Sequence, residues 1–109
     1  MSTKKFRLAA DQIKQPIPNM GGCFATDHIP VLGKKVGYMY REEPDGEFDS
    51  GWRFFSGEES QAYVDDSKNT EIYSVNTIAN YDPAIIPYLG APAGSAFGRV
   101  AGTDEFKKE

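Results

Sequence analysis

The sequence has almost no cysteine or histidine: Cys23 and His28 are the single copies of each among 109 residues. One cysteine cannot form an internal disulfide, and one cysteine with one histidine cannot make a structural zinc site. The low cysteine count fits a reducing compartment, so we expect a cytoplasmic protein. The Gly21-Gly22 pair precedes an apparent strand rather than a helix, which does not match a phosphate-binding loop. We therefore expect no metal and no cofactor.

Long apolar runs are also missing. No stretch approaches the roughly 20 apolar residues that cross a bilayer. The basic start of the chain is not followed by an apolar run of signal-peptide length. We expect a protein that does not associate with a membrane.

Positive charge is scarce in the middle of the chain. The net charge is −4, but residues 41–71 hold ten acids against three bases, and the remainder holds six acids and nine bases. An acidic segment repels nucleic acid, whose affinity comes mainly from phosphate neutralisation. We therefore expect no nucleic-acid partner. The acidic segment either attracts a basic protein or only keeps the domain solvated.

The length and composition are typical of one globular domain. Hydrophobic residues make up 39% of the chain and charged residues 26%, while eleven glycines and seven prolines indicate many turns. We expect a single domain over residues 1–109, with its core at about 5–100 and a fraying polar tail at 101–109. The pattern predicts an α+β fold, a small mainly antiparallel sheet with short helices on one face. Strands are predicted at residues 4–8, 23–26, 35–41, 51–55, 71–75 and 94–100, and helices at 56–64 and 82–86.

The strongest local signal is a β-hairpin formed by residues 35–41 and 51–55. Both segments alternate with period two, and Pro44-Asp45-Gly46 is turn chemistry. On the return strand, Trp52 shares one face with Phe54, and Arg53 lies on the other. Either face could be the buried one.

The start of the predicted first helix has a capping box, Ser56-Gly57-Glu58-Glu59. The Ser56 hydroxyl would accept a hydrogen bond from the first turn, and Glu59 would reach back. Asp82-Pro83 has the N-cap and N1 residues that begin another helix.

The candidate binding surface is the acidic hairpin loop with the aromatic and arginine residues beside it. Long polar loops on rigid hairpins often carry function, and Trp and Arg are frequent interface anchors. The predicted binding residues are Arg41, Asp45, Glu47, Asp49, Ser50, Trp52 and Arg53. Alternatively, the two arginines pair with the loop carboxylates and only stabilise the hairpin. The alternating carboxylates lack the pattern of a calcium-binding EF-hand loop.

Two other kinds of function remain open. A small-molecule-binding or enzymatic domain would use Cys23, His28 and nearby carboxylates, with an activated thiolate as the nucleophile. A homo-oligomer would use the apolar segment at residues 85–89 as its interface.

Four segments of the sequence resemble one bacterial family. They are Gly-Gly-Cys-Phe-Ala-Thr-Asp at 21–27, Val-Gly-Tyr-Met-Tyr-Arg-Glu at 36–42, Asp-Ser-Gly-Trp-Arg-Phe-Phe-Ser-Gly at 49–57, and Asn-Thr-Ile-Ala-Asn-Tyr-Asp-Pro at 76–83. Together they resemble the domain-of-unknown-function 2185 family, which is also described as immunity-protein-33-like. The resemblance implies a small α+β protein with no established catalytic residues, and a suspected role in neutralising a toxin by direct binding.

The sequence therefore predicts a non-enzymatic cytoplasmic binding domain with a toxin as its protein partner. It leaves the identity of that partner and the oligomeric state undetermined.

Overall fold

The computed structural model describes residues 6–8 and 13–109, and these contain a six-stranded sheet with short helices. The strands are β1 (Gly22–Thr26), β2 (Tyr38–Arg41), β3 (Asp49–Phe55), β4 (Thr70–Ser74), β5 (Ala96–Arg99) and β6 (Phe106–Lys108). The helices are α1 (Gln61–Asp65) and α2 (Val75–Tyr81), with 3₁₀ helices at Ser67–Asn69 and Pro83–Tyr88. The predicted α+β class is confirmed.

The strands lie in the order β4-β1-β3-β2-β5-β6. Every neighbouring pair is antiparallel except β1 and β3, which are parallel. The predicted hairpin is confirmed as β2 and β3, in which Met39 pairs with Phe54 and Arg41 pairs with Trp52. β1 therefore lies between β3, which runs parallel to it, and β4, which runs antiparallel.

The strand β3 contains a bulge where it pairs with β1. Gly22 pairs with Asp49 and Phe24 with Arg53, so a step of two positions along β1 matches a step of four positions along β3. Gly51 lies in this bulge with a φ of 90°, and a Cβ atom there would lie 2.2 Å from the carbonyl oxygen of Glu42. Only glycine fits both the backbone angle and the close approach.

The core lies between one face of the sheet and the helical segments that follow β4. Met39, Trp52 and Phe54 of the sheet are fully buried together with Ile78 of α2 and Ile85 of the second 3₁₀ helix. The hairpin face that carries Trp52 and Phe54 is therefore the buried one. The sequence pattern of the hairpin did not show which of its two faces is buried. We call the opposite sheet face the outer face; it carries Phe24, Tyr38, Tyr40, Arg53 and Phe55.

The end of the chain differs from its prediction. Phe106–Lys108 pairs with β5 and extends the sheet, so a fraying tail is wrong for these residues. The Phe106 ring is buried and lies 5.2 Å from the Tyr88 ring, which provides the apolar contact that holds the strand. At the other end, residues 4 and 5 of the predicted first strand lie outside the described residues, and residues 6–8 form no strand.

The first helix begins later than the capping box predicts. Its N-cap is Ser60, whose hydroxyl accepts a hydrogen bond from the backbone N–H of Tyr63 at 3.1 Å. Ser56 and Glu59 form the expected kind of contact, because Glu59 Oε2 accepts from the Ser56 N–H at 2.8 Å. These bonds close a turn that precedes the helix rather than the first turn of the helix itself.

Two more helical segments follow β4, one predicted and one not. Asp82 caps the 3₁₀ helix Pro83–Tyr88 by accepting a hydrogen bond from the Ala84 N–H, as its sequence predicts. The same carboxylate accepts from the Val36 N–H at 2.9 Å and pairs with Arg99. The helix α2 was not predicted; it begins at Val75, which is the last residue of the predicted strand 71–75.

Within the described residues, no helix is both long enough and apolar enough to cross a membrane.

Candidate functional site

Two of the predicted binding residues lie in the interior. Trp52 is fully buried, and its indole N–H donates to the carbonyl oxygen of Leu89 at 3.1 Å. Ser50 is 3% exposed, and its hydroxyl donates to the Gly22 carbonyl oxygen at 2.6 Å. The prediction that Trp52 lies at the surface is therefore wrong. Its face of β3 is covered by the helical segments, and a partner cannot reach it without opening the core.

Arg41 connects the hairpin to the segment after the second 3₁₀ helix. Its Nε donates to the Ser50 carbonyl oxygen at 2.9 Å, and its Nη1 donates to the Ala91 carbonyl oxygen at 2.8 Å. The guanidinium carbon also lies 5.7 Å from the Trp52 ring centre. Because its donors are directed at backbone carbonyls, Arg41 holds neighbouring segments together.

Arg53 and Asp49 form a nearly buried ion pair on the outer face. The guanidinium donates to both carboxylate oxygens of Asp49, at 2.9 and 2.8 Å, and its Nε donates to Glu42 Oε2 at 2.6 Å. The guanidinium also lies 4.6 Å from the Phe24 ring centre. The Arg53 hydrogen bonds hold the pKa of the Asp49 carboxyl well below its usual range. The alternative that both arginines pair with the loop carboxylates therefore holds for Arg53. It does not hold for Arg41, which donates to backbone carbonyl oxygens instead.

Asp45 and Glu47 are exposed at the tip of the hairpin loop, as the sequence suggests. The loop is nevertheless held in place, because Asp49 Oδ2 accepts a hydrogen bond from the Asp45 N–H at 2.8 Å. Its end is fixed by a bond from the Gly22 N–H to the Phe48 carbonyl oxygen at 2.7 Å. Gly21 permits this close approach, since a Cβ atom there would lie 2.6 Å from the same oxygen. Gly21 and Gly22 thus lie where the backbone before β1 closely approaches the end of the hairpin loop.

The outer face presents one continuous row of side chains across five strands. The register aligns a residue from each of β4, β1, β3, β2 and β5, in the order Ile72, Phe24, Arg53, Tyr40 and Ala96. The aromatic residues of this face are half-buried and contact each other: the Tyr40 and Phe55 rings stack at 6.0 Å with a 12° angle, and Tyr38 lies 6.0 Å from Tyr40.

Open clefts lie on both sides of Tyr40. One of about 520 Å³ is lined by Tyr38, Tyr40 and the segment 93–96, and another of about 390 Å³ by Tyr40, Arg53 and Val64. The hydroxyl of Tyr40 bonds no described residue. Burial, with the nearby Glu42 carboxylate, raises the pKa of Tyr40, so this hydroxyl stays neutral and can donate a hydrogen bond.

The alternative site at Cys23 and His28 lacks the features of an activated nucleophile. Cys23 is buried in the core, and burial raises the pKa of its thiol to about 12. The thiol is therefore protonated at neutral pH. His28 contacts other groups: its Nδ1 lies 2.7 Å from Ser56 Oγ and 3.8 Å from Glu59 Oε2. An acyl-transfer triad needs the acid on the opposite ring nitrogen from the hydroxyl, which this arrangement does not provide.

Across the part of the chain that the structure describes, no three His, Cys, Asp or Glu residues are placed to hold a metal ion. The apolar segment that would form an oligomer interface contributes Ile85 and Leu89 to the core, and Ile86 packs against that core half-buried.

A comparison with protein families identifies the chain. The model described as the immunity protein Imm33 domain matches residues 23–109. The chain belongs to the Imm33 immunity protein family. No curated protein and no solved structure matches it significantly. The resemblance seen in the sequence is therefore confirmed at the level of the immunity-protein family.

One of the four segments that resemble the family, at residues 49–57, holds the fold together. Within Asp49–Phe54, Gly51 forms the bulge, Trp52 and Phe54 enter the core, and Asp49 pairs with Arg53. In this Imm33 chain, the residues of this segment thus have structural roles, and the exposed groups lie beside the segment. Sequence reasoning missed Phe24, Phe48 and Ile72 as surface residues; the one available signal was an apolar Phe48 between two acids.

Proposed function

We propose that this protein is an immunity protein that neutralises a toxin by binding it directly, without catalysis. Membership in the Imm33 family supports the immunity role. The absence of an activated thiol at Cys23, whose pKa burial raises to about 12, removes the support for the enzymatic alternative. The proposal includes a cytoplasmic location, because a single free cysteine fits a reducing compartment.

The outer face is the surface that best supports this role. Its aromatic side chains are rigid, have an apolar body and carry a free polar tip at Tyr40, which are the properties of interface anchors. The Arg53–Asp49 pair beneath them has its hydrogen bonds satisfied within the domain. It orders the floor of the surface, and the rings of Tyr38, Tyr40 and Phe55 supply the contact area.

This proposal changes the roles of the predicted binding residues. Asp45 and Glu47 stay candidates for direct contact because they are exposed on the adjoining loop. Asp49 and Arg53 become positioning residues, and Arg41, Ser50 and Trp52 maintain the fold.

The test is growth of bacterial cells that co-express this protein with a toxin that the purified protein captures. We expect wild-type protein to restore growth and the double variant Tyr38→Ala/Tyr40→Ala to lose most of this protection. Phe6→Ala is the matched control: Phe6 is also an exposed aromatic, but it packs on Tyr73, away from the outer face. Folding of each variant is checked by circular dichroism. Full protection by a folded double variant would contradict the proposed surface.

A further inference from the structure

The most exposed large apolar side chains of the described chain lie together. Phe48 is 81% exposed and Ile72 is 70% exposed. Both line one cleft of about 280 Å³ between β1, β4 and the end of the hairpin loop, with Gly22 and Phe24. Exposed apolar surface that is concentrated in one concave place is characteristic of an interaction site, whereas single exposed apolar residues are common.

The rim of this cleft is uniformly negative. The loop segment from Glu42 to Asp49 contains five acids and no base. Asp49 is neutralised by Arg53, but Glu43, Asp45 and Glu47 have no ion-pair partner among the described residues. Asp45 and Glu47 line the cleft itself. An occupant would therefore meet an apolar floor and two unneutralised carboxylates, a combination that favours cations beside an apolar group.

The cleft is already ordered before anything binds. The Phe48 carbonyl oxygen accepts from the Gly22 N–H at 2.7 Å, and the Asp49 N–H donates to the Gly46 carbonyl oxygen at 3.2 Å. A side chain added at Gly22 would lie 3.3 Å from Cγ2 of Ile72, so the glycine leaves the floor open. An ordered site loses less conformational entropy on binding.

The open form of the cleft suits a side chain of a larger partner, because it does not enclose a ligand. Small-molecule sites usually occupy roughly 300–1,000 Å³ and enclose most of the ligand. A cleft of about 280 Å³ at the edge of the sheet holds one or two side chains of a larger partner. Phe24 lines both this cleft and the one beside Tyr40, so the cleft continues the outer face.

We propose that this cleft binds a segment of the toxin in which lysine or arginine residues flank one exposed aliphatic or aromatic side chain. The inference rests on the proposed function and names the chemistry of the partner. The apolar side chain enters between Phe24, Phe48 and Ile72. The flanking cations lie against Asp45 and Glu47, where water still screens them, so they contribute more to association rate and specificity than to affinity.

The test uses a short synthetic peptide in which lysines flank a single central leucine. Binding is followed by the amide chemical shifts of the ¹⁵N-labelled full chain. We expect saturable shifts centred on Gly22, Phe24, Phe48 and Ile72. A peptide with serine in place of leucine, and one with glutamates in place of lysines, should each bind at least about tenfold more weakly, since about 1.4 kcal/mol corresponds to tenfold.

Protein variants make the assignment specific. Phe48→Ser and Glu47→Lys should weaken the leucine peptide, the first by about tenfold from lost apolar contact. The matched controls are Leu32→Ser, an exposed apolar residue elsewhere, and Glu105→Lys, an exposed acid elsewhere. Both should bind the peptide like wild type.

The proposal would be overturned by the absence of a saturable shift or by shifts centred outside the cleft. Equal binding of the serine peptide would also overturn it, because it would indicate charge attraction alone. Self-association that Phe48→Ser abolishes would assign the cleft to a second copy and also overturn it. If the peptide does not bind, but the toxin binds and Tyr40→Ala weakens that binding, the cleft proposal is wrong and the proposed function stands. If the peptide binds at the cleft but no toxin is neutralised, the cleft proposal stands and the immunity role is wrong.

Discussion

Removing the carboxylate of Asp49 should destabilise the fold more than removing any other acid of the hairpin loop. The Arg53 side chain is 6% exposed, and Asp49 supplies two of its hydrogen bonds. Breaking a buried ion pair costs about 3–5 kcal/mol, because the remaining charge is left without its partner. Glu42 still accepts from Arg53 and is half-exposed, which offsets part of that cost. We therefore expect Asp49→Ala to lower the free energy of unfolding by about 2–3 kcal/mol at pH 7.

The pH dependence gives this prediction a second, independent readout. The pKa of Asp49 is lowered in the folded state, mainly by its hydrogen bonds to Arg53. A group with a lowered folded pKa stabilises the fold above its unfolded pKa, about 3.9 for Asp, and this stabilisation is lost as pH falls further. The difference between wild type and Asp49→Ala should therefore be constant from neutral pH to about pH 5 and shrink progressively below about pH 4.

The assay is urea unfolding followed by the fluorescence of Trp52, the only tryptophan and a core residue. Glu47→Ala is the matched control, because Glu47 lies on the same loop without an ion-pair partner among the described residues, and it should unfold like wild type. A loss below about 1 kcal/mol for Asp49→Ala at pH 7, or a loss that is equally large at low pH, would refute the reasoning about this pair.

The remaining predictions concern the bulge and the thiol. Gly51→Ala should destabilise the protein by at least about 2 kcal/mol, because φ is 90° and the new methyl group would meet the Glu42 carbonyl oxygen. Gly46→Ala, where a Cβ atom meets nothing within 4 Å, should leave the unfolding midpoint nearly unchanged, and an unaltered midpoint for Gly51→Ala would argue against the bulge. Cys23 should react with iodoacetamide at neutral pH far more slowly in the native protein than in urea, since burial raises the pKa of its thiol to about 12; equal rates would show that the thiol is accessible.

Local sequence signals predicted the strands of the hairpin but could not choose which face is buried. Both faces of β3 carry large apolar rings, with Trp52 and Phe54 on one side and Phe55 on the other. The period-two alternation of the strand is compatible with burial of either face. The choice depends on α2 and the second 3₁₀ helix, which cover the Trp52 face. The composition of α2, with three β-branched residues among seven, favours a strand locally, and its helical state depends on burial of Val75 and Ile78.

The candidate site depended on long-range pairing that no local pattern encodes. Phe24 and Ile72 are far apart in the sequence, yet β1 and β4 pair so that they lie opposite each other on the outer face. The parallel pairing of β1 with β3 brings Arg53 into the same row. The exposure of the acidic loop could be predicted from its composition. Trp52 was wrongly predicted to lie at the surface, because tryptophan is common both in interfaces and in cores.

The most direct test of the account is the affinity of the purified protein for its purified toxin, measured by titration calorimetry for wild type, Tyr40→Ala and Phe6→Ala. We expect a defined complex that Tyr40→Ala weakens by at least about thirtyfold, the effect of losing an interface anchor worth about 2 kcal/mol. We also expect Phe6→Ala to bind like wild type. A Tyr40→Ala variant that is folded and binds with unchanged affinity would contradict the claim that the outer face is the toxin-binding surface.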